Sequence, residues 1–126
     1  MSELTCLPAR EMAQLICRKE VSPVDLVEAH LTRIEKLNPK VNAFVQVDAK
    51  RARQQARAAE QAVMIGDPLG PLHGVPISLK SSIAVAGLRY EAGTRLRAGS
   101  GSSVPLYGSR QQWHAAAKCP RQRSSR

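Results

Sequence analysis

At 126 residues, 43% hydrophobic and 3% aromatic, the chain is long enough for one ordinary domain. Its net charge of +9 is unevenly spread, because residues 1–91 hold twelve Lys/Arg against ten Asp/Glu while residues 92–126 hold seven Lys/Arg and no acid, so the basicity belongs to the tail. Cys6, Cys17 and Cys119 are scattered, with no CxxC and no His placed to complete a zinc site, which argues against a disulfide framework or a structural metal.

The N-terminus carries charges every few residues and lacks the apolar core of a signal peptide. No window approaches the roughly 20 apolar residues of a membrane span, so no membrane partner is expected and the expected location is cytoplasmic. Ala9, Met12, Ala13 and Ile16 then mark the stripe of a first amphipathic helix, with Pro8 suited to its first turn. Ser22 as N-cap, Pro23 at the first helical position and Asp25 three residues after the serine announce a second helix. Its inward face repeats at Val27, Leu31 and Ile34, and Asn38-Pro39 is expected to end it, since a residue before proline avoids the α region.

From Val41 to Val47 apolar residues fall at every second position, with Asn42 and Gln46 between and Phe44 breaking the alternation, so the spacing predicts a strand. Asp48 caps a third helix whose small residues Ala49, Ala52, Ala56, Ala59 and Val63 form a narrow stripe, ending near Gly66-Asp67-Pro68. A Gly/Pro turn leads to a short apolar strand, "VPISL", then Lys80, Ser81 and Ser82, and a second apolar piece, "IAVAGL". Beyond about Gly99 the text has neither helical nor strand period and is dense in Ser, Gly and Arg, a composition that buries too little to offset its ordering entropy. Residues 1–99 are therefore read as the N-terminal part of one domain, expected to be poorly packed in isolation, and residues 100–126 as a basic low-complexity tail that is disordered or read out of frame.

Lys80 is the candidate for chemistry. A lysine with a reference pKa of about 10.4 is a poor base at neutral pH, and burial or nearby positive charge is needed to make it one. A neutral lysine beside serines can remove the proton from a serine that attacks a carbonyl, with backbone N–H groups of a glycine-rich loop holding the oxyanion.

The string "GPLHGVPISLKSSIAVAGL" followed by "EAGTRLRAG", with "EVSPVDLVEAHLTRIEKLNPKVNAFV" upstream, resembles the amidase-signature family over about residues 5–99. The resemblance implies an α/β fold, a mixed sheet flanked by helices, of which this chain would hold an incomplete N-terminal part. It implies hydrolysis of an amide C–N bond by a lysine, a serine held by a cis peptide and a nucleophilic serine, or transfer of the ammonia to an acceptor in the amidotransferase branch of the family. Lys80 matches the family lysine; the next position, often aspartate in the family, is Ser81 here. The implied substrate is a small-molecule amide, with no cofactor and no metal. The two serines lie dozens of residues downstream in the family, and "GSGSS" at 99–103 follows Lys80 too closely to replace them, so the chain alone is expected to be inactive. With most of such a sheet missing, the apolar faces of the first two helices are expected to lack a partner.

The remaining candidates have structural readings: His73 packs or bonds to backbone within the turn, His30 is a satisfied helix histidine, His114 lies in the tail, and Cys17 packs beside Ile16. The rival reading is a polyanion- or nucleic-acid-binding module in which Tyr107 and Trp113 stack among the tail arginines. No nucleic-acid-binding motif accompanies that tail, so specific recognition is not expected. A non-catalytic assembly component completed by another chain is the third reading.

Overall fold

A computed structural model of the chain describes residues 4–80 and 83. These fall in two compact units, one running to Pro76 and the other starting at Ile77. The first unit begins with a 3₁₀ turn, Leu4–Cys6, and continues with three helices: α1 (Ala9–Cys17), α2 (Pro23–Val41) and α3 (Ala49–Ile65).

α1 buries Met12 and Ile16, while Ala9 at the head of the expected stripe is exposed. Pro8 stands one position earlier than expected, as the N-cap, with its carbonyl accepting from the amides of Glu11 and Met12. The chain leaves the helix through Lys19, whose φ of 61° lies in the left-handed region. Glu20 N–H returns to the Leu15 carbonyl at 2.9 Å, which satisfies a carbonyl otherwise orphaned at the helix end.

α2 starts as the sequence predicts. Ser22 is the N-cap, its Oγ accepting from Val24 N–H at 3.0 Å, and Pro23 occupies the first turn, where its missing N–H costs nothing. The same hydroxyl donates to Glu60 Oε1 of α3 at 2.5 Å. The other end departs from expectation, since α2 runs through Pro39 to Val41. Pro39 removes only one hydrogen bond in the final turn, and Asn42 closes that turn from the left-handed region with its N–H on the Asn38 carbonyl at 2.7 Å.

The strand expected over 41–47 is absent, and so is that over "VPISL"; among the described residues there is no strand. Alternation makes a strand only where a neighbour supplies a ladder. Here the Asn38 side chain takes that role for one residue: its Oδ1 accepts from Phe44 N–H at 2.8 Å and its Nδ2 donates to the Phe44 carbonyl at 3.0 Å. Val41 and Val45 stay 65% and 73% exposed. The helical part of the expected fold class is thus present, and its sheet is not seen among these residues.

α3 is capped by Asp48, whose Oδ1 accepts from Arg51 N–H at 3.0 Å, and it ends at Gly66 with φ 85°. Ser22 meets Glu60 and Glu28 meets Arg53, so rising numbers on α2 pair with falling numbers on α3 and the two helices run antiparallel. The small-residue stripe faces α2: Ala56 is buried with Val27 and Leu31, and Ala49 and Ala52 pack against them. A second cluster joins Met12, Ile16, Leu26 and Val63, with Leu4, Leu7, Val21, Leu69 and Val75 around it. Ile16 and Leu26 are 1% and 0% exposed, so the apolar faces of α1 and α2 do find a partner, in each other and in α3. Cys6 is free and exposed.

Candidate functional site

The segment that leads to Lys80 is built on this three-helix base. Gly70-Pro71-Leu72-His73-Gly74-Val75 makes two successive tight turns, with His73 N–H on the Gly70 carbonyl and Val75 N–H on the Leu72 carbonyl, each at 3.2 Å. Leu69 and Val75 at its two ends pack on the first core cluster. Gly74 has φ 75°, a conformation open to glycine and strained for other residues. A Cβ there would lie 2.9 Å from Pro23 Cγ and 3.2 Å from Ile16 Cδ1. His73 reaches in the other direction and donates Nε2–H to the Ala59 carbonyl of α3 at 2.9 Å. The reading of His73 as a backbone-bonding residue holds, and so does that of His30, whose Nδ1 donates to the Leu26 carbonyl at 2.8 Å.

Lys80 belongs to the second unit. It is exposed, at the end of a run from Ile77 with neither helix nor strand, and its carbonyl accepts from Ile83 N–H at 2.9 Å. Ser81, Ser82, the serines of 99–103, His114 and the basic tail with Tyr107 and Trp113 lie outside the described residues.

Elsewhere the described residues offer little reactive chemistry. No group of three or more His, Cys, Asp and Glu among them is arranged to hold a metal ion. A cavity of about 310 Å³ between the C-terminal half of α2 and the start of α3 is lined by Leu31, Ile34, Glu35, Asn38, Pro39, Val47 and Ala49, with no nucleophile in its wall. Two polar contacts have no signature in the sequence. Arg33 Nη1 donates to Thr5 Oγ1 at 2.6 Å and to Cys6 Sγ at 3.1 Å, and the guanidinium pulls the Cys6 thiol below its ordinary pKa. Arg53 grips Glu28 through Nε (2.6 Å) and Nη2 (3.0 Å), a two-pronged pair that lowers the Glu28 carboxyl pKa and raises that of the guanidinium. Both pairs join residues 25 or more apart in sequence, and no local spacing encodes such a meeting.

With this geometry in view, comparison with known proteins is decisive about family. The family model "Amidase" matches residues 25–104, a stretch that includes α2 from Asp25 onward, α3, the turn at 70–75 and Lys80. The chain belongs to the amidase family. It is 41% identical over 99 residues to the A subunit of the glutamyl-tRNA(Gln) amidotransferase of Salinispora arenicola (strain CNS-205), covering 79% of this chain and 20% of that protein. It is 40% identical over 99 residues to the protein of the same name from Streptomyces coelicolor, with the same coverage. The corresponding Roseiflexus castenholzii protein is 44% identical over 94 residues, 75% of this chain and 18% of its own length. The chain thus spans about one fifth of the length of the curated relatives it matches. No solved structure matches it. Among the described residues no helix is long and apolar enough to cross a membrane.

Proposed function

We propose that residues 1–99 are the N-terminal part of an amidase domain that cleaves an amide C–N bond, and that Lys80 is its base. The observation that carries this reading is the position of Lys80 at the end of "GPLHGVPISLK", within the residues that the family model matches. In the proposed reaction the Lys80 amine, neutral in the assembled site, accepts a proton from a bridging serine. That serine takes the proton of the nucleophilic serine, whose oxygen attacks the amide carbonyl. The C–N bond then breaks, the amine leaves with a proton, and water resolves the acyl-enzyme. In an amidotransferase branch the released ammonia goes to an acceptor, and the shared name of the relatives favours this branch, with glutamyl-tRNA(Gln) as that acceptor. Ser81 and Ser82 stand beside the base in sequence but are not assigned as nucleophiles, and the 126-residue chain is proposed to be inactive by itself. The proposed setting is cytoplasmic, with no cofactor.

The test is a graft. Residues 1–99 replace the matched residues of the Salinispora arenicola protein, and hydrolysis of a small primary amide is followed. Turnover by the graft supports the reading. A soluble, folded graft without turnover, beside an active parent protein, contradicts it.

A further inference from the structure

We propose that the outward face of α3, a row made by Lys50, Gln54, Arg57 and Gln61, is a docking surface for the phosphate backbone of an RNA. That the RNA is a tRNA rests on the amidotransferase branch proposed above. The surface itself stands on separate observations. The four residues recur at i, i+4, i+7 and i+11, one side of a 3.6-residue period, and all four are exposed. At 1.5 Å per residue the row runs about 16 Å along the helix. The opposite side, Ala56 with Ala49 and Ala52, is packed on α2.

The charge on this helix is one-sided. Ala49–Ile65 holds four Lys/Arg against one acid, Glu60. Glu60 is turned toward α2, where it accepts from the Ser22 hydroxyl, and Glu28 of α2 is gripped by Arg53 on the flank of the row. The outward row thus carries cations and side-chain amides and no carboxylate. No acid stands in the first turn either, although the positive end of a helix favours acids there, so Lys50 and Arg51 sit against the local preference. Such a conflict is expected where a surface serves binding. Lys, Arg and Gln all donate hydrogen bonds, and phosphate oxygens accept them along any strand. A lipid surface fits less well, because an interfacial helix needs an apolar side to insert and that of α3 is already packed on α2. Among polyanions RNA is favoured by the relatives' shared name, which specifies glutamyl-tRNA(Gln).

The experiment uses the full 126-residue chain and a tRNA(Gln) transcript, with Kd measured over a series of salt concentrations. Lys50→Gln with Arg57→Gln takes both charges from the row. Lys36→Gln with Lys40→Gln takes an equal charge from exposed positions of α2 and is the control. The basic tail is the same in every protein, so its own attraction for RNA cancels in the comparison. The α3 variant is expected to bind roughly ten- to hundredfold more weakly at about 0.1 M salt, with the slope of log K against log salt shallower by about two. The α2 variant is expected to stay within about threefold of the parent and to keep its slope.

No binding by the parent chain, or equal weakening by the two variants, which would mean attraction by net charge alone, would overturn the proposal. Parent-like RNA binding by the α3 variant would also overturn it and leave the row to an acidic protein surface. Should the α3 double variant lose its helical signal, Lys50→Gln and Arg57→Gln taken singly decide, each expected to lessen the slope by about one. No readout here measures amide hydrolysis, so the row can fail while the Lys80 reading stands, and the graft can fail while RNA still binds the row.

Discussion

Gly74 rests directly on Pro23: a Cβ at the glycine would stand 2.9 Å from the proline Cγ and 3.1 Å from its Cβ. The contact ties the first turn of α2 to the turn that precedes Lys80. It combines two penalties, since the φ of 75° is strained for an alanine and the proline ring is rigid. Gly74→Ala is therefore expected to destabilise the fold by roughly 1–3 kcal/mol. Urea unfolding followed by helical signal would check it, and a variant as stable as the parent would show that the turn is not seated there.

Leu26 is the centre of the first core cluster, fully buried among Met12, Ile16 and Val63. Leu26→Ala is expected to cost about 2–5 kcal/mol through lost burial and the cavity left behind. By contrast Leu37→Ala, at an exposed position of the same helix, should change stability by no more than about 0.5 kcal/mol. A cooperative thermal melt of the parent chain is the precondition; a gradual, non-cooperative loss of helical signal would mean that this core does not hold.

The Glu28–Arg53 pair gives a pH dependence with a definite sign. The hydrogen bond from Arg53 lowers the folded-state pKa of Glu28. Its contribution is therefore present above the unfolded carboxylate range and is lost as pH falls through the lowered folded value. Both side chains are about two-fifths exposed, so the effect is modest and salt-sensitive. Glu28→Gln should lower stability at neutral pH and flatten its decline in acid. Parallel stability curves for the two proteins across the acid range would contradict the assignment.

Legibility in the sequence follows the range of the interaction. Ser22-Pro23 and Asp48 announce helix starts because a cap is a contact between neighbours in sequence, and Ile16, Val27 and Leu31 fall on inward faces by a 3.6-residue period. The alternation over 41–47 points to a strand that does not form, because alternation reports a face, whereas a strand also needs a ladder partner. The Asn38 amide, bonded to both backbone groups of Phe44, stands in that place. Asn38-Pro39 points to a helix end that comes later, because Asn42 supplies the cap from four residues after Asn38. At the candidate site Lys80 stands out by its string of neighbours, and the backbone role of His73 is legible from its place in the turn. The Ala59 carbonyl as its partner is not, since 14 residues separate them and the meeting depends on how α3 packs.

By itself the 126-residue chain is expected to show no amide hydrolysis and no labelling by a serine-directed acylating or phosphonylating probe. In the proposed mechanism neither Ser81 nor Ser82 is the nucleophile that Lys80 serves. Labelling of the isolated chain that disappears in Lys80→Ala would locate a working nucleophile within these 126 residues and overturn that expectation.

The most direct measurement of the central claim is kcat/KM for amide hydrolysis by the graft on the Salinispora arenicola protein, compared between Lys80 and two substitutions. Lys80→Met removes the amine at similar length, and Lys80→Arg puts in its place a group that does not give up its proton at accessible pH and so cannot act as a base. If Lys80 is the base, both variants fold and both lose roughly 10²–10⁴-fold in kcat/KM, with the loss in kcat. A folded Lys80→Met or Lys80→Arg graft that keeps the parent rate would show that the lysine is not the base.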